Sequence, residues 1–187
     1  MDSIRTTIPK RDRRAGLLSA LSLLAVLSLT ALPAHAGKAH AHGVAQMTVS
    51  LEGARLSVGL EMPLDSLVGH ERAPRTEAER TAARAALERL RDGAALLRPE
   101  DGAGCRLVQA QVDAPVLEQG AAAAGGHADA LASYAFDCAD PARLNTLEVN
   151  LHEAFRRLER VEVQFVTPSA QGRVVLRKPA KTVRLGR

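Results

Sequence analysis

Residues 43–62 show a strict alternation of apolar and polar side chains, and no other part of the sequence constrains the fold as much. The apolar positions are Ala45, Met47, Val49 and Leu51 in the first arm and Leu56, Val58, Leu60 and Met62 in the second. A period of two residues is typical of strands with one buried face. Glu52-Gly53 between the arms predicts a two-residue hairpin turn, because glycine can take a positive φ.

This turn predicts a specific register for the hairpin. Val49 would pair with Leu56, and the apolar positions of both arms would then share one face. Extending the same ladder places His42 opposite Pro63. The segment that precedes the first strand is therefore predicted to lie beside the loop at residues 63–75, with its histidines on the more exposed face.

The rest of the chain predicts one main helix and several further strands. Thr76 and Glu79 form a capping box at the start of a helix expected over about 76–98. Its apolar stripe, at helical spacing, consists of Ala83, Ala86, Leu87, Leu90, Ala94 and Leu97. Alternation returns in the segments 105–112, 131–138, 147–151, 161–165 and 173–178. The sequence therefore predicts an α+β domain with an antiparallel or mixed β-sheet and one main helix.

The two cysteines of the chain are predicted to form a cross-strand disulfide. If the strands at 105–112 and 131–138 pair about the middle of the Ala/Gly-rich loop 118–126, Cys105 falls opposite Cys138. Directly opposed residues in an antiparallel pair lie ~4.5–5.5 Å apart, within the range of a disulfide. Closing a loop of this length should contribute about 3–4 kcal/mol in the chain-entropy model.

Residues 1–36 have the three parts of a cleaved secretory signal peptide. The basic residues Lys10, Arg11, Arg13 and Arg14 precede an apolar run over 15–32, and Ala34-His35-Ala36 is a small-x-small cleavage site. The alternative is an uncleaved membrane anchor, but an anchor usually needs ~20 apolar residues. We predict that residues 37–187 form a single domain in an oxidising compartment, outside the cytoplasm.

The composition after residue 36 argues against several classes of function. That part contains 20 basic and 19 acidic residues, so it has no basic excess for nucleic acid. The chain has one Tyr, three Phe and no Trp, too few to stack bases. No second apolar run is long enough to span a bilayer. The sequence also lacks a nucleophile elbow, an HExxH motif and a phosphate-binding glycine loop, so we predict that it is not an enzyme.

The histidines indicate a transition-metal site, since imidazole suits zinc, copper and nickel. His40 and His42 form a His-x-His pair, and the hairpin register places His40 near Asp65. It brings His40, His42 and His70 into one neighbourhood, with Asp65 and Glu71 as oxygen donors. The predicted metal ligands are His40, His42 and His127, with His70, Glu71 or Asp129 completing the set. One shared site and two weaker sites both fit this pattern. Ligation requires neutral imidazole, so binding should weaken as the pH falls through about 6.

The last fifteen residues are basic and contain no acid. They carry Arg173, Arg177, Lys178, Lys181, Arg184 and Arg187. Lys and Arg commonly protect an exposed edge strand from pairing with other chains. The alternative is a docking face for an acidic partner, which would make the protein a metal-free interaction module of the cell envelope.

An ordered set of short segments resembles the ZrgA-like family, Gram-negative periplasmic proteins formerly grouped as a domain of unknown function. The matching residues are His40-Ala-His42-Gly-Val44-Ala45, Pro63 with Leu67-Val68-Gly69, Ala73-Pro74-Arg75-Thr76-Glu77, Cys105, His127 with Asp129, Tyr134, Cys138, Phe155, Thr167-Pro168 and Gln171-Gly172. The resemblance implies a periplasmic location and zinc binding. It also implies cooperation with an ATP-driven zinc importer (an ABC importer) or its binding protein.

Two segments depart from the family pattern. The family often carries a His/Asp-rich tract before the position of His127, but this chain has alanine and glycine over 121–126. The departure argues for a low-capacity site. The family's loop motif Gly-Phe-Glu-His is replaced by Gly69-His70-Glu71-Arg72, which displaces the histidine by two positions and makes His70 its replacement in our prediction.

Overall fold

The computed structural model describes residues 41–122 and 128–186 of the chain. The strands are β1 (Val44–Glu52), β2 (Arg55–Pro63), β3 (Leu97–Pro99), β4 (Cys105–Asp113), β5 (Asp129–Cys138), β6 (Thr146–Val149), β7 (Arg160–Val166), β8 (Gln171–Arg177) and β9 (Thr182–Arg184). The α-helices are α1 (Leu64–Val68), α2 (Glu77–Arg91), α3 (Gly93–Leu96), α4 (Pro115–Glu118) and α5 (Leu151–Ala154). The predicted signal peptide, His40 and His127 lie outside the described residues.

The strands form two sheets. The larger has six strands in the order β4-β5-β2-β1-β7-β8, and the smaller has three in the order β3-β6-β9. β1 pairs in parallel with β7, whereas the other neighbours in the large sheet pair antiparallel. The predicted α+β fold with a mixed sheet is confirmed. The small sheet was not predicted.

The hairpin of β1 and β2 forms as predicted, but its register differs by two residues. Val49 pairs with Val58, so the predicted pairing with Leu56 is wrong. The turn is formed by Gly53 and Ala54, and Gly53 takes the first central position with a φ of 57°. A shift of two residues keeps every side chain on its predicted face, and the apolar positions of both strands are buried.

The main helix begins where it was predicted but ends earlier. Thr76 and Glu79 form the predicted capping box of α2, and the helix stops at Arg91 instead of continuing to about residue 98. A Cβ at Gly93 would overlap the buried ring of Tyr134. The hydroxyl of Tyr134 donates a 2.7 Å hydrogen bond to the carbonyl oxygen of Leu90. The chain therefore turns around this tyrosine and continues into α3 and β3.

The predicted disulfide is confirmed. Cys105 and Cys138 lie opposite each other at the ends of β4 and β5 and are bonded through their sulfurs. The ladder shifts by one residue between Leu107 and Gln109, which leaves Val108 half-exposed on this edge strand. A bulge of this kind hinders pairing with a further strand.

The hydrophobic core lies on one face of the large sheet. It joins the alternate apolar side chains of β1, β2, β5 and β7 to the apolar stripe of α2 and to the inner face of the small sheet. The opposite face presents mainly polar side chains. Within the part of the chain that the structure describes, no helix is long and apolar enough to cross a membrane.

Candidate metal centre

The predicted ligand segments meet at one end of the large sheet, where its strands begin or finish. Strands β1, β5 and β7 begin at this end, and β2 and β8 finish there. The pairing of Asp129 with Pro63 and of Val44 with Arg160 shows this arrangement. Arg160 pairs in turn with Arg177. We call this end of the large sheet the site end.

His42 lies at the site end between two carboxylates. Its Nδ1 is 3.5 Å from Oδ2 of Asp65 and 3.7 Å from Oε1 of Glu71. The imidazole is 61% exposed, whereas the side chains of Asp65 and Glu71 are 33% and 10% exposed. Ligand atoms ~2.0–2.1 Å from a tetrahedral zinc ion are about 3.4 Å apart. The two separations at His42 are therefore close to those of ligands that share one ion.

The two-residue change in register explains why His42 meets Asp65. The predicted ladder placed His42 opposite Pro63, whereas the observed ladder, extended beyond Gln46 and Glu61, places it opposite Asp65. Asp65 was predicted as an oxygen donor near His40 and not opposite His42. A predicted turn at Gly53-Ala54, in place of Glu52-Gly53, would have placed Asp65 opposite His42.

Gly43 fixes the position of His42 against the start of β7. Its carbonyl oxygen accepts hydrogen bonds from the amides of Glu159 and Arg160 at 2.8 and 3.0 Å. Gly43 has a φ of 73°, and a Cβ there would lie 2.9 Å from Cγ of Glu159. Only glycine satisfies both the positive φ and this close approach.

The carboxylate of Glu71 is carried by a loop that is tied to helix α2. Arg72 donates from Nη1 and Nη2 to the carboxylate of Glu79 at 2.9 and 2.7 Å. The same carboxylate accepts from the amide of Arg75 at 2.6 Å. The Arg72 side chain, together with this amide, holds the pKa of Glu79 well below its usual range. The loop between α1 and α2 is thus fixed near its middle.

His70 keeps one ring nitrogen available for ligation in this loop. Its Nδ1 lies 3.0 Å from the carbonyl oxygen of Arg72, and a carbonyl can only accept, so Nδ1 carries the proton. Nε2 then has the lone pair. A histidine that donates from one nitrogen to a carbonyl is a common arrangement for a metal ligand.

Asp129 opens β5 two residues after His127. Asp129 pairs with Pro63, and the carbonyl oxygen of Ala128 accepts a 2.9 Å hydrogen bond from the amide of Leu64, the residue before Asp65. β5 therefore enters the sheet beside the carboxylate that His42 approaches.

The described ligands do not complete a metal site by themselves. Among residues 41–122 and 128–186, no three His, Cys, Asp or Glu side chains form a group that could hold a metal ion. His40 and His127, two of the predicted ligands, lie outside those ranges. Their part in a site stays a prediction.

The described basic residues of the C-terminal segment are divided between the two sheets. Nζ of Lys181 is paired with Glu148 at 3.0 Å and with Glu153 at 3.7 Å. Arg184 belongs to β9 in the small sheet, whereas Arg177 ends β8 in the large one. Arg187 lies outside the described residues.

A comparison with protein families decides the relationship. A family model described as "ZrgA family zinc uptake protein" matches residues 39–185. The chain belongs to the ZrgA family of zinc uptake proteins. The match covers every described strand and helix and also His40 and His127, so the resemblance noted in the sequence is confirmed. This family acts in zinc uptake and is not a known class of enzyme. No curated protein matches the chain.

Proposed function

We propose that this member of the ZrgA family binds Zn²⁺ at the site end and assists an ATP-driven zinc importer in the periplasm. His40, His42 and His127 are the proposed ligands, with Asp65 and Glu71 as the nearest oxygen donors. His70 and Asp129 remain alternatives for the same coordination positions. The placement of His42 between Asp65 and Glu71 is the observation that carries the proposal.

The chemistry of the donors supports zinc. Two or three imidazoles with one or two carboxylates form a mixed nitrogen and oxygen set, which zinc binds in tetrahedral geometry. Calcium and magnesium prefer sites made of oxygen alone. The chain also belongs to a zinc uptake family, which is an independent reason to choose zinc as the ion.

The sequence supports one site of low capacity. Residues 121–126 consist of alanine and glycine, so the segment before His127 offers no side-chain donors. One ion bound by a few fixed ligands suits a protein that carries or presents zinc. It does not suit a protein that stores many ions.

The proposed location follows from the predicted signal peptide over residues 1–36. The disulfide between Cys105 and Cys138 is compatible with it, because the periplasm is an oxidising compartment.

Calorimetric titration of residues 37–187 with Zn²⁺ tests the proposal. We expect saturable binding near one ion per chain, and at least about a hundredfold weaker binding in the His40→Ala/His42→Ala/His127→Ala variant. His152→Gln is the matched control, because it removes a histidine from α5 and should leave the affinity within about twofold. Equal binding by the triple variant, or no saturable binding by the wild type, rejects the zinc site.

Growth under zinc limitation tests the link to an importer. Gram-negative cells that lack this protein should grow poorly in chelator-treated medium, and the wild-type chain should restore growth. The triple histidine variant should fail to restore it although the protein accumulates to the same level. Restoration by that variant would separate the role in uptake from zinc binding.

A further inference from the structure

Four exposed cations lie beside the site end. They are Arg156 and Arg157 in the loop before β7, and Arg177 and Lys178 at the end of β8. Lys178 donates from Nζ to the carbonyl oxygen of Arg156 at 2.8 Å, which joins the two segments. We call these four residues the basic patch.

The cations of the basic patch are distinguished by their grouping, since cations without a carboxylate partner, such as Arg89 and Arg106, also occur elsewhere in the described parts of the chain. In the described parts of the chain, no carboxylate oxygen lies within ion-pair distance of any of the four. By contrast, Arg160 beside them is paired with Glu162 at 3.1 Å, and Lys181 is paired with Glu148. Surface cations with no carboxylate partner in the chain are available to an external anion.

The patch adjoins the proposed zinc ligands. The guanidinium of Arg157 lies over Gly69, where a Cβ would be 2.9 Å from its Cζ, and Gly69 directly precedes His70 and Glu71. On the other side, the amide of Glu159 holds the residue after His42. A ligand bound to the patch would therefore lie beside the mouth of the proposed zinc site.

Metal binding does not account for this arrangement. Cations near a Zn²⁺ site repel the ion, and the repulsion weakens binding unless an anion neutralises them. Covering the loop at Gly69 does not require a charge either, because an uncharged side chain in place of Arg157 could do so. Four cations grouped at this one place therefore suit an anion that comes from outside the chain.

We propose that the basic patch docks an acidic surface of a partner protein and places that surface beside His42. The proposal rests on the proposed function for what is exchanged there, namely a zinc ion. Asp and Glu side chains complement the four cations, and on a neighbouring zinc carrier they would also be ligands for the ion. Docking would neutralise the patch at the place where an ion enters or leaves.

The test uses residues 37–187 and a peptide of eight aspartates as the acidic probe. Binding is measured by fluorescence anisotropy at low and high salt, and the contact surface is mapped by amide chemical shifts. The patch variant is Arg156→Gln/Arg157→Gln/Arg177→Gln/Lys178→Gln. The matched control is Arg89→Gln/Arg106→Gln/Arg143→Gln/Arg184→Gln, which removes the same charge from exposed positions elsewhere.

We expect the patch variant to bind the peptide at least about tenfold more weakly and the control variant to bind within about twofold of wild type. The peptide should shift the amides of 156–160 and 177–178 and those of 42–43 and 69–71. Equal loss in both variants means that only net charge matters and overturns the proposal. Shifts on other strands also overturn it. Binding to phosphatidylglycerol vesicles or inorganic phosphate, with none to the peptide, would assign the patch to a lipid or an ion instead.

Zinc titration of the same proteins separates this proposal from the proposed function. The patch variant should bind Zn²⁺ at least as tightly as wild type, because repulsion is removed. If wild type binds the peptide at the patch but not Zn²⁺, the proposed function fails while the docking surface stands. If wild type binds Zn²⁺ and the two charge variants do not differ toward the peptide, the docking proposal alone fails.

Discussion

The two ends of the large sheet use charge in opposite ways. At the end where β1 turns into β2, Arg55 is paired with Asp137 at 3.1 Å, and the amide of Cys138 donates to Ala54 at 2.8 Å. The disulfide closes the same end. At the site end, Arg160 is paired with Glu162 at 3.1 Å, but the contacts of His42 with carboxylates are longer, and the four cations of the basic patch have no carboxylate partner among the described residues.

This contrast separates stability from ligand binding. The closed end carries the ion pair of Arg55 with Asp137 and joins two strands covalently, so these interactions stabilise the fold. At the site end, His42 lies near two carboxylates at distances longer than those of a short ion pair, and four cations have no carboxylate partner, so an added cation or acidic surface gains more there. Changes at one end should then affect mainly one of the two properties.

Removal of the disulfide should give the largest effect on stability. A Cys105→Ala/Cys138→Ala variant should lose about 3–4 kcal/mol of unfolding free energy, because the crosslink closes a loop between residues 33 apart. Urea denaturation measures the loss. Zinc affinity, measured by calorimetry where the variant is folded, should change by less than about twofold. A parallel loss of zinc affinity would contradict the separation of the two ends.

Gly43→Ala should affect both properties, since Gly43 belongs to the site end and also holds β1. An L-residue at its positive φ costs about 1–2 kcal/mol, and the added Cβ would meet Glu159. We expect about 2 kcal/mol of destabilisation and weaker zinc binding.

Gly53→Ala is the control for Gly43→Ala. Gly53 has a φ of 57°, but a Cβ there meets nothing within 4 Å. It should lower stability by about 1 kcal/mol and leave zinc affinity unchanged. Equal zinc affinities of the two alanine variants would show that Gly43 does not position His42.

Asp65→Asn should reduce zinc affinity about tenfold with little change in stability, because it removes a ligand charge and keeps the side-chain shape. Calorimetry with Zn²⁺ measures the change. Asp137→Asn is the matched control at the closed end, where the carboxylate pairs with Arg55. If Asp137→Asn weakened zinc binding as much, the effect would be one of overall charge.

Glu79→Gln should give the smallest effect, and it should depend on pH. The folded state lowers the pKa of Glu79, so the carboxylate stabilises the protein above its ordinary value of ~4.3 and loses this contribution as the pH falls below it. The variant should melt about 2–4 °C lower at pH 7. The difference should shrink as the pH approaches 2, as followed by circular dichroism. A gap that stays constant with pH would mean that packing and not charge is lost.

Local patterns predicted the strands and the start of the main helix, but not the register or the helix end. Periodicity of two residues cannot distinguish a turn at Glu52-Gly53 from one at Gly53-Ala54, because both keep the same faces buried. The capping box of Thr76 is a local signal and was read correctly. The end of α2 depends on Tyr134, which lies on a strand far along the chain. The residues near position 91 do not reveal that contact.

The site shows the same limit. The sequence placed His42 beside the 63–75 loop, and the structure confirms that neighbourhood. Asp65 was predicted beside His40 and not beside His42, because the predicted register was in error by two residues. The position of Arg157 over Gly69 depends on how β7 enters the sheet, and no pattern in the sequence predicts this position.

The parallel pairing of β1 with β7 sets the order in which the protein can acquire its proposed activity. The amides that hold Gly43 belong to Glu159 and Arg160, more than a hundred residues after His42. A chain that is still emerging has β1 without that neighbour, and contacts so distant in sequence form late in folding. His42 is therefore held in place only after Glu159 and Arg160 have been synthesised, so shorter nascent chains carry the histidine without the fixed site.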